Sequence, residues 1–94
     1  MIGTFKDAAL KRYWVAAKSK GISAQNLPKI KRILTSLNAA TKPADMNLPQ
    51  YRFHELKGNR KGTYSVTVRA NWRLTLEWEN GAAVTVDLED YHGD

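Results

Sequence analysis

The chain has no cysteine, which excludes disulfides, thiolate metal ligands and a thiol nucleophile. No apolar run approaches the roughly 18 residues of a membrane span. The opening, MIGTFKDAALKRYWVAAKSKG, is broken by charge before a signal-peptide core could form. These absences predict a soluble protein of the reducing cytoplasm with no membrane partner. A glycine-rich phosphate loop, the His/Cys/Asp/Glu spacing of a metal site and a Ser/His/Asp order are all missing, so no cofactor and no metal is expected. Histidine is confined to His54 and His92, and up to Arg73 the only acids are Asp7, Asp45 and Glu55.

What fills the first three quarters of the chain is positive charge. The net charge is +6 and the pI about 9.8, a balance that points to an acidic partner, most often nucleic acid. All 15 lysines and arginines lie at or before Arg73, whereas residues 74–94 carry carboxylates alone. The surface is therefore polarised. With 94 residues, 43% of them hydrophobic, the chain reads as one domain over residues 1–94 with one modest core.

Asp7 is placed to cap a helix on which Leu10, Tyr13, Trp14 and Ala17 recur at helical spacing, with Gly21 as a stop. A second helix is predicted over about 24–39, its apolar face formed by Leu27, Ile30, Ile33, Leu34 and Leu37. Residues 41–50, TKPADMNLPQ, read as a loop. Beyond Tyr51 the period becomes two: Tyr64, Val66 and Val68, then Leu74, Leu76 and Trp78, then Val84, Val86 and Leu88. RANW and the Asn80–Gly81 pair mark the hairpins between them. The fold class that follows is α+β, with two N-terminal helices on one face of a twisted antiparallel sheet of about four strands. On this parity Arg52, His54, Thr67, Arg69 and Arg73 fall on the face opposite the helices.

RFHELKGNRKG, residues 52–62, raises the main chemical question. It places His54, Lys57, Arg60 and Lys61 around two glycines, which is either a solvated turn or a holder for a polyanion. An imidazole able to move a proton near neutral pH, beside fixed cations, suits phosphate chemistry. The terminal EDYHGD sets Asp90, Tyr91 and His92 in succession, either a solvated tail or a group spanning acid, base and stacking roles. Lys29, Lys31 and Arg32 read as a solvated helix face or as contacts to RNA phosphates, and Asn71 as a turn former or a base-edge contact. Trp14, Trp72 and Trp78 read as packing.

YRFHELKGNRKGTYSVTVRANWRLTLEW followed by VDLEDYH resembles the HigB family of bacterial toxins within the RelE superfamily, and the likeness extends over the whole chain. The resemblance implies a RelE-like fold and ribosome-dependent cleavage of mRNA in the A site by attack of a 2′-hydroxyl on the adjacent phosphate. It further implies contact with 30S rRNA and neutralisation by a helix-turn-helix, HigA-like antitoxin. By that similarity His54, Lys57, Asp90, Tyr91 and His92 fall on active-site positions, and Arg73 on a phosphate-contacting one. Arg52, Arg60, Lys61, Arg69, Asn71, Lys29, Lys31 and Arg32 are the expected RNA contacts. The rival expectations are a ParE-like toxin of the same fold that binds gyrase, and a non-enzymatic nucleic-acid-binding domain.

Overall fold

The computed structural model describes residues 1–90. Asp7 caps α1 (Ala8–Ala16) by accepting the Leu10 amide at 2.8 Å. The helix ends before the expected glycine: Ala17 is left-handed with φ 57°, and its amide returns to Tyr13 O. Gly21, at φ +91°, serves the turn beyond. α2 (Leu27–Ala39) starts three residues later than the spacing predicts, with Pro28 in its first turn, where a missing N–H costs nothing. Asn26 precedes it but makes no capping bond, because its Oδ1 accepts from Arg69 Nε at 3.2 Å. No helix among the described residues is long and apolar enough to cross a membrane.

The connection to the sheet is not a free loop. Two short 3-10 turns, Pro43–Met46 and Pro49–Tyr51, bury Met46 and Tyr51, and the Tyr51 hydroxyl lies 2.9 Å from Ser36 Oγ on α2. Four antiparallel strands follow in sequence order: β1 (His54–Glu55), β2 (Tyr64–Arg69), β3 (Trp72–Glu79) and β4 (Ala82–Asp90). The β3–β4 turn has Asn80 and Gly81 both at positive φ, 52° and 81°, the twist-compatible hairpin that Asn-Gly favours. Ile2 and Phe5 add isolated parallel bridges to Ala83 and Val86, outside β4. Ile30, Ile33, Leu34 and Leu37 of α2 and Val66, Leu74, Leu76, Ala83 and Val86 of the sheet share one core.

Two bulges correct the simple alternation. In β4 the register passes from Thr75↔Asp87 to Glu77↔Val84, with Thr85 in the left-handed region at φ 50°. The extra residue reverses parity, so Ala83 and Val86 are buried at 0% exposure, and Val84 lies on the other face. In β2 the register shifts between Thr67 and Arg69. That shift moves Arg69 from the face predicted to the helix side, where Nη2 reaches Gln25 Oε1 at 2.8 Å.

Candidate active site

The register assembles two polar rows on the face away from the helices. One runs His54, Ser65, Thr75, Asp87; the next runs Thr67, Arg73, Glu89. His54 is exposed on the two-residue β1, and its Nδ1 lies 3.0 Å from the Arg52 carbonyl. A carbonyl only accepts, so Nδ1 is the donor in this contact and Nε2 is the ring nitrogen left for other partners. Arg73 is half-buried, and its Nη1 donates to Ala70 O at 2.7 Å, which fixes the guanidinium against the β2–β3 turn.

The KGNRKG stretch is an ordered turn. Leu56 is buried beneath it, the Leu56 amide donates to Thr63 O at 2.8 Å, and the Gly62 amide donates to the Glu55 carboxylate at 2.8 Å. Gly58 at φ +69° and Gly62 at φ +96° supply the backbone angles that side chains resist. Lys57 and Lys61 are exposed on it.

Arg60 extends to β4 and forms a bidentate pair with Glu89, at 2.9 and 2.7 Å. The hairpin lies about two strand spacings, roughly 10 Å, from β4, so the turn leans across the outer face. Thr75 Oγ1 completes the Glu89 shell, and Ser65 and Thr75 are nearly sealed beneath, at 1% and 2% exposure. A groove of about 320 Å³ opens beside the pair, lined by Lys6, Thr63, Glu77, Thr85 and Asp87.

The Arg60 hydrogen bonds, then that of Thr75, hold the Glu89 carboxyl below the usual carboxylate range against its desolvation. A depressed folded-state value stabilises the fold above the ordinary glutamate range and is lost as pH falls through the folded value. With both partners partly exposed, Glu89→Gln is expected to cost about 1 kcal/mol or less at neutral pH. The difference from the parent should shrink as pH falls below the ordinary glutamate range and vanish only below the depressed folded value. Denaturant titrations at pH 7 and pH 3 check this, and an equal loss at both would assign the effect to packing.

A basic edge joins this face to α2. Partial burial, then the charges of Arg32 and Arg52, lower the Lys29 pKa, and Lys29 Nζ donates to Gln50 O at 3.1 Å. Lys29, Arg32 and Arg52 therefore form one cluster beside His54, with Lys31 exposed a third of a turn away. Asn71 is exposed in the β2–β3 turn.

The expected catalytic set is thus only partly gathered by the described strands. His54 and Arg73 share a face, whereas Asp90 pairs with Trp72 and has the parity of Leu88, on the helix side at the end of the strand. Tyr91 and His92 lie outside the described residues. Sequence reasoning passed over Glu89, Thr75 and Ser65. The alternation of Asp87 with Glu89 was the available signal for the first, and buried hydroxyls on a polar face gave none.

A family model described as RelE-like toxin of type II toxin-antitoxin system HigB matches residues 3–92. The chain is 40% identical over 92 residues to Endoribonuclease HigB of Proteus vulgaris, covering 98% of this chain and 100% of that protein. It is 30% identical over 89 residues to Toxin HigB-1 of Vibrio cholerae, covering 93% of this chain and 94% of that protein.

Proposed function

This chain belongs to the HigB family of RelE-like toxins of type II toxin-antitoxin systems, and on that premise we propose that it is an endoribonuclease that cuts mRNA in the ribosomal A site. The observation that carries the reading is the end-to-end likeness, at 40% identity, to a protein named Endoribonuclease HigB. The exposed imidazole beside a basic edge supports it. Its partners would be mRNA, 30S rRNA and a HigA-like helix-turn-helix antitoxin, in the cytoplasm.

The proposed chemistry is metal-independent. His54, with Nδ1 tied to the Arg52 carbonyl, is the candidate base: Nε2 removes the 2′-hydroxyl proton as that oxygen attacks phosphorus. Lys57 and Arg73 hold the phosphoryl oxygens as negative charge gathers there. The bond to the 5′-oxygen breaks and that oxygen takes a proton from His92, leaving a 2′,3′-cyclic phosphate and a 5′-hydroxyl. Tyr91 stacks on or positions a base, and Asp90 orients a neighbour or the substrate. Lys29, Lys31, Arg32, Arg52, Lys61 and Asn71 contact RNA. Arg60 and Arg69 are engaged with Glu89 and Asn26, so their contribution is to order the turn and the bulge beside the RNA.

So sparse a set needs the ribosome to align the 2′-hydroxyl for in-line attack. The isolated protein is therefore expected to be nearly inert on free RNA and active on the same message during translation. Cleavage mapping on translated and naked mRNA at matched concentrations tests this. Efficient cutting of naked RNA would overturn the ribosome requirement while leaving an endoribonuclease.

A further inference from the structure

The sheet ends in an unfinished edge, far from His54. Beyond β4 the chain start runs parallel to it: Gly3 N donates to Ala83 O at 2.7 Å and Ala83 N to Met1 O at 2.9 Å, then Val86 N to Thr4 O at 3.2 Å and Lys6 N to Val86 O at 2.8 Å. In a parallel ladder the residue between such partners points its own N–H and C=O the other way. The main-chain groups of Ile2 and Phe5 therefore face outward, and they have no hydrogen-bond partner among the described residues. From Ile2 to Phe5 the edge carries no proline and no charged side chain, two of the means by which folded proteins protect one.

Beside the edge lies a hollow of about 370 Å³ between it and α1, lined by Ile2, Phe5, Trp14, Val15 and Lys11. Val15, the penultimate residue of α1, is an exposed large hydrophobic at 73%. A second, shallower hollow shares Val15 and Lys11 and adds Arg12 and Ala8. α1 carries no acid at all, its sequence being AALKRYWVA. Outward amides, an apolar socket and the cations Lys11 and Arg12 thus occur together on one surface.

We propose that this surface docks an extended segment of the antitoxin. Its backbone adds a strand to the Ile2–Phe5 edge, an apolar side chain enters the hollow against Trp14 and Val15, and flanking carboxylates meet Lys11 and Arg12. The edge asks for extended backbone rather than a helix, because only a strand satisfies a row of outward main-chain groups. The cations ask for an acidic segment. A toxin of a type II toxin-antitoxin system has a protein partner to supply it. The inference rests on family membership and is independent of the cleavage reading.

Hydrogen exchange at individual amides of the full chain, alone and with its cognate antitoxin, tests the proposal together with binding titrations. In the complex the Ile2 and Phe5 amides should exchange at least 10-fold more slowly. Val15→Glu should weaken antitoxin binding 10-fold or more, with RNA cleavage by the free toxin unchanged, and Lys11→Glu should weaken it in a salt-dependent way. Parental affinity in Val15→Glu would overturn the docking surface. Weakened binding without protection at either amide would overturn the strand, leaving a helix packed on α1. Protection of both amides in toxin alone at rising concentration would assign the edge to a second copy of this chain.

Discussion

Lys57→Ala is expected to lower mRNA cleavage on the ribosome by about 10²-fold or more, the scale of a lost partner for a developing oxyanion, with thermal unfolding unchanged. The side chain is exposed on a turn whose order comes from other groups: the buried Leu56, the Glu55 carboxylate on the Gly62 amide, and Arg60 on Glu89. Removing the ammonium therefore takes away charge without taking away architecture. His92→Ala should act on a similar scale. The double variant should cost less than the product of the two, since groups serving one transition state are not additive. Cleavage rates on ribosomes under single-turnover conditions read all three. A Lys57→Ala protein that binds ribosomes and cuts at the parental rate would make residues 52–62 a solvated turn.

Leu76→Ala should have the largest effect on stability, about 2–5 kcal/mol, as lost transfer energy and a residual cavity combine. Leu76 is at 0% exposure on β3, opposite Tyr64 and beside the bulge of β4. A strand held on both sides cannot collapse freely into the space. Against a total of roughly 5–15 kcal/mol for a domain, the loss should lower Tm by at least about 10 °C. Calorimetry beside a Val15→Ala control, expected within about 0.5 kcal/mol of the parent as an exposed position, measures it. Equal shifts in the two variants would contradict the assignment of the core.

What the sequence disclosed was whatever a local rule governs. The Asp7 cap, the α2 stripe of Ile30, Ile33, Leu34 and Leu37, and the Asn80–Gly81 hairpin each depend on neighbours within a few residues. They appear where expected. The bulges were hidden because Thr85 adopts φ 50° although a β-branched residue is among the least suited to it, so composition gave no warning. Period-two counting then carried Val84 and Arg69 to the wrong faces. Around the candidate site, His54 and Arg73 were correctly read as outward. The commitment of Arg60 to Glu89 was invisible because those residues are 29 positions apart, and only the completed sheet brings them together. The Lys29, Arg32 and Arg52 cluster was likewise divided in the sequence between a helix and a loop.

The parallel seam between the chain start and β4 also sets the order in which this protein can come into being. Val86 N bonds Thr4 O, and Lys6 N bonds Val86 O, so Thr4 and Lys6 wait for a residue about 80 positions further along the chain before they find their places. Contacts this distant close slowly, and during translation they cannot close at all until β4 has left the ribosome. Until then α1 has no β4 to pack on, and Ala83 and Val86, both wholly buried in the finished core, are missing. A chain that stops short of β4 therefore lacks one side of its core. The outward face that carries Arg73 and Glu89 is therefore the last part of the sheet to be completed, because Glu89 itself belongs to β4.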